Sequence, residues 1–296
     1  MTQDASSERL GYIGLGNIGA PMAKRLVDWP GGLTVFDVRA EAMTPLVQAG
    51  ARAAGTVAEV AGAADIISIT VLDDAQVREV VLGGGSGADG LASVARPGTI
   101  IAIHSTISDT TAVELAVELE PQAIHVIDAP VSGGAPGAHK GELATMVGAD
   151  EAVFARVRKP FSRWASLMIH AGAPGAGTRM KLARNLLHFV SFAAAAEAQR
   201  LAEDCGLDIA ALGKVVRHTD AITGGPGAIM LRATTAPVEP DDPWYPILNH
   251  VRELGQKDLS LALALGAEYG VELPLAELAR ERLAGGLGMS STAQSR

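Results

Sequence analysis

The chain has 296 residues, 48% hydrophobic and 19% charged, which suits one large or two packed domains and excludes a disordered protein. Up to residue 172 there are 12 Lys/Arg against 19 Asp/Glu, and beyond it 12 against 14, so neither half of this chain of net charge −9 is basic and no nucleic-acid partner is expected. The one cysteine, Cys205, excludes an intramolecular disulfide and a cysteine-cluster metal site, and no His/Asp/Glu cluster has metal-ligand spacing.

The N-terminus, to Arg9, is polar and mixed in charge, with neither an apolar signal core nor a transit-peptide pattern, which predicts a cytoplasmic protein. No apolar run is long enough to span a bilayer. The nearest approach, 189–198, lies among Arg184, Glu197 and Arg200 and reads as a buried helix.

Along the first half, short apolar runs at 10–15, 33–36, 66–71, 99–103 and 123–127 read as strands. Segments such as 20–28, 75–82 and 110–119 read as helices between them. Alternation of this kind predicts an α/β domain, a doubly wound parallel sheet of the Rossmann type, which 143–147 and 167–169 extend. The Gly/Ala/Pro-rich stretch 172–177 reads as a turn. From 178 to 205 there is no Gly or Pro and good helix formers dominate, so one long helix is expected, closed by Gly206. The remainder reads as shorter helices broken at 224–226, 236–244 and 270, with a frayed tail at 290–296. The expected organisation is a dinucleotide-binding domain at 1–172 and an all-α domain at 173–296, joined by the long helix.

Gly14-x-Gly16-x-x-Gly19 follows the first strand and opens a helix. Gly14 permits a tight turn, Gly16 lets the backbone approach a pyrophosphate, and Gly19 allows close helix–sheet packing. The helix N-terminus then offers unpaired N–H groups to the phosphates. Asp37 ends the second strand, where a carboxylate binds the adenine ribose hydroxyls and repels a 2′-phosphate. NAD is therefore expected ahead of NADP, although Arg39, two residues on, can reach a phosphate.

Three later stretches carry candidate chemistry. In 128–134 (DAPVSGG), Ser132 offers a hydroxyl, and Gly133 and Gly134 can expose adjacent N–H groups, a small cradle for a carboxylate; a glycine-rich turn is the alternative. Lys181 and Asn185 lie four apart on one face of the long helix. A lysine screened from water titrates closer to neutrality and can accept a proton from a hydroxyl, with Asn185 orienting that group; a solvated helix face would look the same. Lys257-Asp258-Leu259 lies in a late helix, where the lysine either reaches back to a cofactor or forms an exposed ion pair.

In combination, residues 11–26 (GYIGLGNIGAPMAKRL), 128–134, 175–185 (GAGTRMKLARN) and 257–259 resemble, in order and nearly along the whole chain, the signatures of the β-hydroxyacid dehydrogenase family, which includes 3-hydroxyisobutyrate dehydrogenases. The resemblance implies Lys181 as catalytic acid/base, with Asn185 as its partner, and Ser132, Gly133 and Gly134 as the substrate-carboxylate site. For the cofactor it implies Gly14, Leu15, Gly16, Asn17, Ile18, Gly19, Asp37, Leu72, Thr106 and Lys257. It also implies a small hydroxy acid or semialdehyde as substrate, and homodimers or homotetramers formed through the helical domain. Arg184 departs from the amide that some members carry just before Asn185. Two other readings stand beside this one: an imine reductase-like or 6-phosphogluconate dehydrogenase-like reductase, and a non-catalytic dinucleotide-binding scaffold. The lysine at 181 argues against imine reductases and scaffolds, and the length of the helical part against the longer 6-phosphogluconate enzymes.

Overall fold

A computed structural model describes residues 8–84, 89–230 and 232–289. The first seven residues and the tail expected at 290–296 lie outside the described residues. The chain divides into two units, Met1–Arg184 and Asn185–Arg296.

The first unit alternates strand and helix. β1 (Leu10–Ile13) leads to α1 (Gly19–Lys24), β2 (Leu33–Phe36) to α2 (Ala40–Gln48), and β3 (Arg52–Ala53) to α3 (Val57–Ala63). β4 (Ile66–Ile69), α4 (Asp74–Leu82), β5 (Ile100–Ile103), α5 (Asp109–Leu119) and β6 (His125–Asp128) follow. These strands pair in parallel in the order β3-β2-β1-β4-β5-β6. The order reverses direction at β1/β4, the point where open α/β sheets bind ligands at their carboxyl edge. Period-2 alternation decides which side chain faces which layer. Tyr12, Ile100 and Ala102 pack into one buried cluster, and Ile13, Ile101 and Ile103 into another. Both faces are apolar because both are covered by helices. Three of those helices start on a side-chain cap: Thr56 accepts from Glu59 N, Asp73 from Gln76 N and Ser108 from Thr110 N.

The expected sheet is parallel throughout; the observed one departs after β6. β7 (Val131–Ser132), α6 (Gly134–Lys140), β8 (Leu143–Gly148), α7 (Glu151–Phe161) and β9 (Ala165–Gly172) complete it. β8 runs antiparallel to both β6 and β7, in one continuous register: Asp128 faces Gly148, Val131 faces Thr145 and Ser132 faces Ala144. β6 and β7 are thus one line interrupted at Pro130, which has no N–H but still accepts from Met146 N at 3.1 Å. A parallel return needs a crossover across the sheet. The seven residues of α6 instead form an excursion in a hairpin, so β8 comes back reversed. α7 then makes a true crossover, and β9 pairs with β8 in parallel.

The long helix expected at 178–205 is α8, Ala176–Asp204, which starts in the first unit. Gly206, at φ +74°, stands just beyond its end. Within Asn185–Arg296 the described residues continue with α9 (Ile209–Thr223), a short 3-10 turn at Gly225–Ile229, α10 (Tyr245–Tyr269) and α11 (Pro274–Gly286). The breaks fall where the sequence places them, with left-handed Gly224 and Gly270 ending α9 and α10. A core of Val238, Leu248, Ala284, Leu287 and Met289 holds this unit. Buried Glu197 accepts from Leu275 N at 2.9 Å and Ala276 N at 3.1 Å, capping α11. One expectation is corrected here. The stretch 189–198 is helical but not buried: Phe189 and Phe192 are 60% and 57% exposed. A helix has one face toward its own unit's core, and this stretch turns Glu197, not its aromatics, inward. Among the described residues no helix is long and apolar enough to cross a membrane.

Candidate active site

The carboxyl edges of β1, β2, β4 and β5 lie side by side, and the loops leaving them carry the dinucleotide candidates. Gly14 has φ +89°, and a Cβ there would stand 2.0 Å from Thr70 O, so only glycine fits. Gly19 meets the same limit, with a Cβ 2.0 Å from Gly14 O. At Gly16, by contrast, nothing lies within 4 Å of a Cβ, and its backbone faces open space. Leu15 is buried, Ile18 half-buried, and Asn17 exposed.

Asp37 is 9% exposed and accepts from Leu15 N at 2.7 Å, Arg39 N at 2.9 Å and Arg39 Nε at 3.3 Å. Burial alone would raise its pKa, but these N–H donors outweigh it and hold the carboxyl below its ordinary value. A carboxylate has about four acceptor sites, so it braces the glycine turn and keeps capacity for a ribose hydroxyl. Leu72 and Thr106 are both exposed, on the loops after β4 and β5. Ser105, which sequence reasoning did not single out, stitches those loops, accepting from Val71 N at 2.9 Å and donating to Val71 O at 2.7 Å. His104 beside it lies 2.7 Å from Ala129 O and 3.0 Å from Ser68 Oγ, and its burial lowers its pKa to about 4, so it is neutral at physiological pH.

At the end of β6 the second group of candidates comes together. Lys181 is 7% exposed, and its Nζ donates to Val131 O at 2.7 Å and Ser132 Oγ at 2.8 Å. Burial, and secondarily the Arg184 charge, lowers its pKa to about 8. The structure therefore joins two motifs that lie 49 residues apart. Gly133 and Gly134 follow, both exposed, at φ +127° and +63°, conformations that favour glycine. Asn185 is half-buried one helical turn after Lys181. Lys257 lies on α10 in the second unit, 62% exposed and 3.1 Å from Asp258 Oδ1. Asp128 opens the 128–134 stretch, but sequence reasoning assigned it no role of its own. It is fully buried and accepts from Gly175 N at 2.7 Å and Thr178 N at 2.5 Å. Its one signal was its place at a strand end, because its partners come 47 and 50 residues later.

A bare glycine turn at the sheet's reversal point, a braced acid after β2 and a buried lysine near neutrality are the parts of a dinucleotide-binding oxidoreductase, and the open backbone at Gly16 fits a pyrophosphate. Comparison with known proteins agrees. Residues 9–172 match the NAD binding domain of 6-phosphogluconate dehydrogenase, and residues 175–292 the NAD-binding domain of NADP-dependent 3-hydroxyisobutyrate dehydrogenase. An uncharacterized oxidoreductase of Mycobacterium tuberculosis is 70% identical over 289 residues, covering 98% of this chain and 96% of that protein. The crystal structure of an oxidoreductase from Mycobacterium avium 104 superposes with a TM-score of 0.90 at 64% identity, covering 95% of this chain and 99% of that one. The Mycobacterium tuberculosis 3-hydroxyisobutyrate dehydrogenase, solved with L-serine, has a TM-score of 0.64 at 33% identity, covering 94% and 92%. The chain belongs to the β-hydroxyacid dehydrogenase family, with 3-hydroxyisobutyrate dehydrogenases among its relatives.

Proposed function

We propose that the protein reversibly oxidises a small 3-hydroxy acid to the matching semialdehyde, with Lys181 as general acid/base. The observation that carries this reading is the buried Lys181, its Nζ donating to Val131 O and Ser132 Oγ beside two exposed glycines at positive φ. The bound nicotinamide supplies hydride acceptance and, in reverse, donation. As a neutral amine, Lys181 has two N–H donors and one lone pair. Val131 O and Ser132 Oγ take the donors, and the lone pair accepts the proton of the substrate hydroxyl. In reduction the ammonium returns that proton to the carbonyl oxygen. Ser132 accepts from Lys181 and keeps its own hydrogen for a substrate carboxylate, which Gly133 and Gly134 N–H groups complete. Asn185, a turn further on, orients the reacting oxygen. The L-serine held by the relative is itself a 3-hydroxy acid, which supports this substrate class.

On the same reading, residues 1–172 hold the dinucleotide through Gly14, Leu15, Gly16, Asn17, Ile18, Gly19, Asp37, Leu72 and Thr106. Residues 173–296 supply substrate selection and subunit contacts, and Lys257 reaches the cofactor. Asp37 favours NAD over NADP. The protein works in the cytoplasm as a homodimer or homotetramer.

The test is steady-state kinetics with a panel of 3-hydroxy acids and small semialdehydes, run with both NAD and NADP. NAD should give the higher kcat/KM. Lys181→Ala should lower kcat roughly 10²–10⁴-fold, the range of a positioned acid/base. NAD titration and circular dichroism should be unchanged. Lys181→Arg should not restore the rate, because a guanidinium stays protonated. A folded, NAD-binding Lys181→Ala protein with near-normal kcat removes the lysine from the chemistry, and no turnover across the panel favours the scaffold.

A further inference from the structure

Lys181 reaches Val131 O and Ser132 Oγ only if α8 begins at a fixed height against β7. An α-helix rises about 1.5 Å and turns about 100° per residue, so a slip of one residue would swing the lysine off both acceptors. Something must therefore fix the start of this 29-residue helix.

We propose that Asp128 is a positioning residue for Lys181: its buried carboxylate locks the start of α8 to the end of β6 and so sets where Nζ stands. Asp128 is 0% exposed, and its two oxygens go to two different N–H groups at the helix start, Gly175 N at 2.7 Å and Thr178 N at 2.5 Å. These are donors a helix N-terminus leaves without intrahelical partners, and the positive end of the helix dipole meets the carboxylate's charge. Two short arms leave this junction. Along the strand, Val131 stands three residues after Asp128; along the helix, Lys181 stands three residues after Thr178. The arms meet again at Lys181 Nζ, closing a small loop of non-covalent contacts.

Two glycines belong to the same device. Gly148 faces Asp128 in the sheet register, and a Cβ there would stand 2.1 Å from Asp128 Oδ1. A Cβ on Gly177 would stand 2.3 Å from Met146 O and 3.0 Å from Asp128 O. Both must be bare for the helix start to come this close to β6 and β8. Thr178 is itself fully buried against the sheet. The lysine's burial, the first cause of its lowered pKa, follows from this approach.

This proposal rests on Lys181 being the acid/base, so its test reads the lysine directly as well as through turnover. In the full-length protein, Asp128→Asn replaces one acceptor oxygen by an NH2 that cannot accept. Asp128→Glu keeps the charge but lengthens the arm, and Gly177→Ala wedges the helix start away while leaving Asp128 intact. Amine labelling of Lys181 across pH, read by mass spectrometry, gives its titration. In the unaltered protein the inflection should fall near 8. In the folded variants it should move toward the ordinary lysine value of about 10.4, cutting the neutral fraction at pH 8 by roughly tenfold or more. kcat should fall about 10²-fold, as for a misplaced catalytic group, with the NAD dissociation constant nearly unchanged. A folded variant whose Lys181 still titrates near 8 with normal kcat overturns the proposal. So does unfolding of all three variants, which would assign Asp128 to folding alone. If Lys181→Ala keeps its turnover, the acid/base reading fails while the labelling result still decides the positioning.

Discussion

The hydrogen-bond partners of Lys181 serve its neutral amine and its ammonium alike. Both are acceptors placed for two N–H bonds, and its pKa of about 8 lets the neutral form exist at working pH. The sign of the pH dependence follows. Oxidation needs the neutral amine, so its kcat/KM should rise with pH and level off above about 8. Reduction needs the ammonium and should fall through the same region. Arg184, the second cause of the lowered value, disfavours the ammonium by like-charge repulsion. Arg184→Gln should therefore move both inflections to higher pH, which pH–rate profiles will show. Inflections that stay in place in a folded Arg184→Gln protein would remove Arg184 from the tuning of the site.

Among the elements, the β1–α1 turn separates two uses of glycine. At Gly14 a Cβ has no room and the backbone sits at φ +89°; at Gly16 a Cβ meets nothing. Gly14→Ala should lower both thermal stability and dinucleotide affinity, the latter by roughly tenfold or more, since it displaces the turn that presents the N–H groups. Gly16→Ala should leave the melting temperature nearly unchanged and weaken dinucleotide binding alone, by filling the space where a pyrophosphate approaches. Thermal melts and NAD titration of both variants provide the check. Equal loss of stability in both would mean the open space at Gly16 is not available in solution.

For the molecule as a whole, the unburied apolar side chains of the helical unit are the feature to explain. Leu186, Phe189, Phe192, Ile222 and Leu261 are each more than half exposed. Phe189 and Phe192 stand together on α8, their ring centroids 6.0 Å apart, and exposed aromatic surface of this kind suits an interaction site. The proposed homodimer or homotetramer would cover it. Light scattering at micromolar concentration should give a multiple of the 30.4 kDa chain mass, and Phe192→Asp should shift the population toward monomer. A wild-type protein that runs as a monomer would sink the assembly proposal.

What the sequence determined by itself is what local pattern encodes. Short continuous apolar runs placed β1, β2, β4, β5 and β6, and the Gly/Pro breaks placed α8 to α11, because strand and helix patterning and turn chemistry act over a few residues. The glycine turn was legible for the same reason, since its three glycines and the following helix are contiguous. The motifs around Ser132 and Lys181 were legible as separate stretches that the family resemblance assigned to one substrate, but their direct contact was not legible. That contact spans 49 residues and depends on β6 and β7 forming one interrupted strand, on β8 returning antiparallel, and on a helix start held by Asp128. The exposure of Phe189 and Phe192 was hidden likewise, because an apolar stretch shows that burial is favourable but not which surface provides it. Periodicity carries no information about partners distant along the chain; only the closed tertiary structure brings a carboxylate, two bare glycines and a lysine to one point.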